Sequence, residues 1–121
     1  MPARPVTTDA PIHERKAALF KALGHPVRIR LLELVIAVET PVATLIAATG
    51  LEASHLSQHL AVLKRTGLVA ARREGNTVHY RAAHGSVADL LTAARTVLLA
   101  SLSETRDALT ELEAALEEDD R

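Results

Sequence analysis

The chain has 121 residues and a formal net charge of −1, a length that suits one domain and is short for two. It contains no cysteine, which excludes a disulfide framework, thiolate metal sites and thiol redox switches. Hydrophobic residues make up 48%, yet only Phe20 and Tyr80 are aromatic, so the apolar content is mostly alanine and leucine. Both favour helices because they lose little side-chain entropy there. A core so poor in aromatics buries modest area, and a partner subunit is expected to complete it. The opening MPARPVTTDAP has no apolar signal core, and no apolar run approaches a membrane span; a cytoplasmic protein with no membrane partner is the expectation.

Residues 1–10 hold two prolines and no apolar period, and are expected to form a flexible arm. From Pro11 the pattern is helical, with Ile12, Leu19, Phe20 and Leu23 near one face and Gly24 as a stop. His25-Pro26 opens the next helix, whose buried stripe is Ile29, Leu32 and Val35 or Ile36, with His25 as its cap and Arg28 and Arg30 pointing elsewhere. Thr40-Pro41 repeats this start signal before a short third helix with Val42, Leu45 and Ile46, which ends at Thr49-Gly50. A fourth helix begins near Ala53, where Leu56, Leu60 and Leu63 fall at i, i+4 and i+7, and closes at Gly67. Two short helices joined by a glycine-containing turn describe a helix-turn-helix.

The period then changes. Val69 to Arg73 and Thr77 to Arg81 read as strands around a Glu74-Gly75-Asn76 turn, with Val78 and Tyr80 inward and Thr77, His79 and Arg81 outward. Residues 86–118 read as one long helix in which Leu91, Leu98, Leu102, Thr105, Leu109, Leu112 and Leu116 form a heptad-like seam, followed by an acidic tail at 119–121. The domain proper is thus expected over residues 11–118. Charge is unevenly spread: Ala53 to Arg81 carries five basic residues against Glu74 alone, net +4, while Ser101 to Arg121 carries two against eight acidic, net −6. A polyanion would be met by the middle of the chain and repelled by its end.

The segment ASHLSQHLAVLKRTG concentrates the functional signal. With its leucines turned inward, the helix presents Ser54, Ser57, Gln58 and Ala61, flanked by His55 and Lys64, with Arg65 at its end. Short and amide-bearing side chains near a helix N-terminus are what a major-groove reader needs, and Gln58 can pair with adenine through two hydrogen bonds. On any one helix an ordinary polar face is the commoner explanation; the preceding helix and the following basic hairpin raise the groove reading. Arg72, Arg73 and Arg81, with Asn76, Thr77 and His79 near the hairpin tip, suit phosphate or minor-groove contact.

LFKALGHPVRIRLLELV and SHLSQHLAVLKRTGLVAARREGNTVHYR resemble the corresponding parts of the ArsR/SmtB-type family of bacterial regulators, over roughly Ala17 to Arg81 with a compatible terminal helix. The resemblance implies a mainly α fold with a small β-hairpin wing, a winged helix-turn-helix of four helices, two strands and a fifth helix. It also implies a homodimer through the first and last helices and effector-modulated binding of a double-stranded DNA operator. It places Ser54, His55, Ser57, Gln58 and His59 on the recognition helix, and Arg72, Arg73, Asn76, Thr77 and Arg81 in the wing. The expected dimer interface is Ile12 and Leu19 with Leu91, Leu98, Leu102, Leu109, Leu112 and Leu116.

Family members that sense soft metals use cysteines on the third helix, where this chain has Thr40-Pro41-Val42-Ala43-Thr44-Leu45. Others use an Asp-x-His and His-x-x-Glu set on the last helix, where the stretch from His84 or Asp89 offers Leu, Val, Ala or Thr instead. Both familiar sites are absent or rebuilt. Of the six histidines, His13 and His84 flank the expected interface and are the candidates for a nickel, cobalt or zinc site, joined by Glu14, Asp89 or Glu104. Isolated surface histidines are the plainer alternative. The expected function is a sequence-specific transcriptional regulator controlled by such a metal or another small effector; an effector-independent regulator or a protein-interaction adaptor on the same fold are the alternatives. No glycine-rich phosphate loop, cysteine nucleophile or paired-carboxylate pattern points to an enzyme.

Overall fold

A computed structural model describes residues 9–119. Its elements are α1 (Asp9–Leu23), α2 (Pro26–Ala37), β1 (Thr40–Pro41), α3 (Val42–Thr49), α4 (Ala53–Arg65), β2 (Val69–Glu74), β3 (Thr77–Ala82) and α5 (Gly85–Asp119). The chain divides after Val87 into two compact units, with α5 beginning in the first. Helix α1 starts at Asp9, two residues before the expected Pro11, because proline is tolerated anywhere in a first turn whose N–H groups lack helical partners. The remainder of the expected arm, residues 1–8, lies outside the described residues, as do the last two of the acidic tail.

Leu31, Leu32, Leu45, Leu56, Leu60 and Leu63 form the fully enclosed centre of the first unit, joined by Ala22, Val35, Leu68, Val69 and Val87. Leu31 takes the place expected for Ile29, which is only half-buried. His25 caps α2 as expected: its Nδ1 accepts the Val27 N–H at 3.2 Å, and Pro26 fills the first helical position. Leucine dominance explains how a core without aromatics closes, since leucine side chains from α2, α3 and α4 fill its enclosed centre.

The sheet has three strands where two were expected, in the order β1-β3-β2 and antiparallel throughout. Thr40-Pro41 is therefore not the first turn of a helix: it is an edge strand facing Tyr80 and His79 of β3, and Pro41 then serves as the N-cap position of α3. Thr40 is buried and its hydroxyl donates to the Val38 carbonyl at 2.6 Å, which holds the extended bend. Proline suits such an edge because the ladder asks no N–H of it there. Between β2 and β3 the loop is Gly75-Asn76, with positive φ (62°) at the glycine alone, the pattern of a two-residue type II′ hairpin.

Helix α5 runs 35 residues, and Leu98, Leu102, Leu109, Leu112 and Leu116 along it are each more than half exposed, while Leu91 is half-buried. One expectation needs correction here. An 18-residue window of α5 has a mean hydropathy of 1.3, so by length and composition this helix is apolar enough to cross a bilayer. Interspersed Ser and Thr had interrupted the apolar runs without lowering their average far. The same helix carries the heptad-spaced leucines and, from Glu104 onward, a series of acidic residues.

Enclosure of the α4 leucines sets an expectation for stability. Leu63→Ala should cost about 2–5 kcal/mol, as for a leucine removed from a closed core, whereas Ser57→Ala should stay within about 0.5 kcal/mol; urea unfolding at fixed protein concentration measures both.

Candidate nucleic-acid interface

Helix α3 stops where Gly50 adopts a left-handed conformation (φ 69°) and its N–H returns to the Ile46 carbonyl at 2.8 Å. The Thr49 hydroxyl donates to the Leu45 carbonyl at 2.8 Å, and the Leu51 N–H donates to that hydroxyl at 3.4 Å. This closes a three-residue turn and launches α4 in a new direction. Glu52 at the N-cap makes no side-chain cap, so the first N–H groups of α4 are left to solvent or to an incoming acceptor. At the far end, Thr66 donates to the Val62 carbonyl at 2.9 Å, and Gly67 (φ 78°) turns the chain into β2.

Helix α4 packs against α2, α3 and β2 through Leu56, Leu60 and Leu63. Its other side is open: Ser54, His55, Ser57, Gln58, Ala61, Lys64 and Arg65 are all exposed. The structure thus gathers the expected row on one face. His59 stands apart from it. It is half-buried, its Nδ1 accepts a hydrogen bond from Arg28 Nε at 3.2 Å, and its ring lies 4.5 Å from that of His25. Its expected place among the groove residues is corrected accordingly, because position i+3 from Leu56 and i−4 from Leu63 turns it toward the core side. Arg28, expected to point elsewhere, is its partner. Arg65 also lines, with Arg15, Ala18 and Thr66, an open recess of about 350 Å³.

In the wing, Arg73, Asn76, Thr77 and Arg81 are exposed. Arg72 is tied down: Nε and Nη2 donate to the two carboxylate oxygens of Glu39 at 3.0 and 3.3 Å, and Nη1 donates to Glu74 Oε2 at 3.0 Å. The Arg72 hydrogen bond holds the Glu39 carboxyl below the usual carboxylate range, and the two carboxylates push the guanidinium higher still. The clamp is present above the ordinary glutamate range near 4.5 and is lost as pH falls through the lowered Glu39 value. His79, expected outward, is half-buried beside Pro41 of the edge strand, with Nε2 3.8 Å from Glu74 Oε2. Lys64, Arg65, Arg73 and Arg81 make no ion pair within 4.0 Å among the described residues.

Sequence reasoning missed Glu39, Arg28 and the cluster at His25. Their partners lie 33 and 31 residues away, and no local pattern announces such pairs. His13 and His84 are exposed, and among the described residues no three His, Cys, Asp or Glu side chains gather into a metal-holding group.

The family model "Bacterial regulatory protein, arsR family" matches residues 25–71, from the cap of α2 into β2. The uncharacterized HTH-type transcriptional regulator Rv0081 of Mycobacterium tuberculosis is 47% identical over 105 residues, covering 86% of this chain and 92% of that protein. The chain belongs to the ArsR family. The crystal structure of Rv0081 superimposes with a TM-score of 0.74 at 48% identity, covering 78% of this chain and 95% of the other. The homodimeric winged helix-turn-helix DNA-binding domain of Mb0332 from Mycobacterium bovis gives 0.73 at 34% identity, covering 79% and 89%. The transcriptional repressor BigR from Xylella fastidiosa gives 0.62 at 33% identity, covering 75% and 96%. This ArsR-family chain is a transcriptional regulator with a winged helix-turn-helix fold, and its relatives are regulators rather than enzymes.

The ion pairing divides the wing arginines. Arg73→Ala should weaken binding to all DNA sequences alike and lower the slope of log K against log salt by about one. Arg72→Ala should change that slope less, because Glu39 and Glu74 already neutralise its charge. Fluorescence anisotropy of labelled duplexes across a salt series measures both.

Proposed function

We propose that this protein is a dimeric, sequence-specific repressor that reads double-stranded operator DNA with α4 in the major groove and the β2–β3 wing on the flanking backbone. One observation carries the proposal: a helix whose inner side is fully enclosed leucine presents an exposed row of Ser54, His55, Ser57 and Gln58, followed by a wing whose Arg73 and Arg81 carry no ion pair among the described residues. An adaptor on this fold has no need of small polar side chains and unpaired cations on the same side. Repression is supported by the repressor BigR among the structural relatives.

Dimerisation is supported by the homodimeric relative from Mycobacterium bovis and by exposed Ile12 on α1 and exposed Leu98, Leu102, Leu109, Leu112 and Leu116 on α5. Water contact for that much leucine is unfavourable at roughly 25 cal/mol per Å² of apolar surface. A second copy removes it, and two recognition helices then meet two half-sites one helical turn apart. An effector would act by binding one dimer arrangement better than another. For a nickel, cobalt or zinc ion we propose His13 and His84, joined by Glu14, Asp89 or Glu104, as ligands that only a dimer would bring together, since no three such side chains gather among the described residues.

Two measurements test this. Gln58→Ala should relax base preference at one operator position, costing about 1–3 kcal/mol of discrimination there and little elsewhere; a selection over randomised duplexes reads it, and an unchanged preferred sequence counts against the groove placement. Titration calorimetry with each metal on wild type, His13→Ala and His84→Ala should show weakened binding in both variants, and undiminished binding removes this site.

A further inference from the structure

Helices α1, α2 and α4 meet at one side chain that the groove contacts leave unused. Arg28, in the first turn of α2, donates from Nε to His59 Nδ1 on α4 at 3.2 Å and from Nη1 to the Ala22 carbonyl near the end of α1 at 3.3 Å. The His25 ring lies over that of His59 at 4.5 Å with the planes tilted by 58°, and its own Nδ1 is occupied by the Val27 N–H. A single guanidinium therefore ties the recognition helix to the two helices behind it.

The contact works in one protonation state only. A guanidinium donates and never accepts, so His59 Nδ1 must offer a lone pair, and a neutral ring must carry its proton on Nε2. A second proton would set N–H against N–H and place a new cation beside Arg28. The titratable and charged groups that act on His59 are His25 and Arg28 from α2 and its cap, and His55 one turn earlier on α4; no carboxylate is among them. Burial first, then those neighbours, hold the His59 value below 6.5. The neutral, braced form is accordingly intact above about 6.5 and is lost as pH falls through the lowered value.

We propose that Arg28 and His59 form a proton-sensitive strut that positions the recognition helix, so that operator affinity falls when His59 is protonated. The proposal rests on the operator-binding reading above. Both are positioning residues, acting through the angle of α4. The sign of the effect is distinctive: positive charge gained on a DNA-binding surface ordinarily strengthens DNA binding, whereas protonating His59 weakens it.

Two experiments decide it. In the free wild-type protein at about pH 8, long-range nitrogen–proton NMR of the imidazoles should find His59 as the Nε2–H tautomer. Affinity for a duplex taken from upstream of the protein's own gene, at constant ionic strength, should drop roughly threefold to tenfold, the worth of one hydrogen bond, as acidification from about pH 8 protonates His59, followed by the same imidazole NMR signals. His59→Gln, whose amide oxygen can accept from Arg28 but cannot titrate, should bind with a flat or rising profile on acidification. An Nδ1–H tautomer, a wild-type affinity that stays level or rises on acidification, or a His59→Gln variant that keeps the wild-type loss would overturn the strut. Absence of binding to any duplex at any pH would instead remove the operator reading, with the tautomer still deciding the strut.

Discussion

Three leucines determine which side of α4 faces the world. Leu56, Leu60 and Leu63 are enclosed to 2% exposure or less, and their spacing fixes the rotation of the helix about its axis. Rotating α4 by one residue's worth, about 100°, would bring leucine to the surface and carry Ser57 and Gln58 inward without partners. Burial of leucine is thus the force that exposes the polar row, and the glycine and threonine hydrogen bonds at either end of α4 only confirm a direction the core has set. His59 and Arg28 add a polar tie at the boundary of that contact, where one hydrogen bond controls orientation more than stability.

Electrostatics then divides the labour on this surface. Clamping of Arg72 by Glu39 joins the wing to the segment before the edge strand, so this arginine stiffens the hairpin at the cost of its charge toward a ligand. Arg73 and Arg81 keep theirs. The acidic residues from Glu104 onward repel a polyanion and leave the wing and α4 as the part of the chain that attracts one. Such a distribution lets a protein of net charge −1 bind DNA without coating itself in it.

Local chemistry in the sequence was enough to locate the helices, the helix-turn-helix and the hairpin, because each is announced by short-range signals: leucines one turn apart in α4, Gly50 and Gly67 as stops, Gly75-Asn76 as a turn. What was not legible depends on tertiary neighbours. Thr40-Pro41 carries the chemistry of a helix start, and only the presence of Tyr80 and His79 alongside makes it a strand. His59 looks like a groove residue until Arg28, 31 positions earlier, claims its Nδ1. Arg72 looks like its neighbour Arg73 until Glu39 is beside it. In each case a periodic pattern gave the face, and a distant partner decided the role.

A chain without cysteine offers a direct test of the central claim, that the exposed row of α4 enters the major groove. A DNA-cleaving iron chelate attached at Ser57→Cys should cut the bound duplex at sites offset as major-groove cleavage is, once in each half-site about one helical turn apart; the same chelate at Asn76→Cys should cut outside them. Diffuse or absent cleavage from Ser57→Cys on a duplex that the labelled protein still binds would contradict the account.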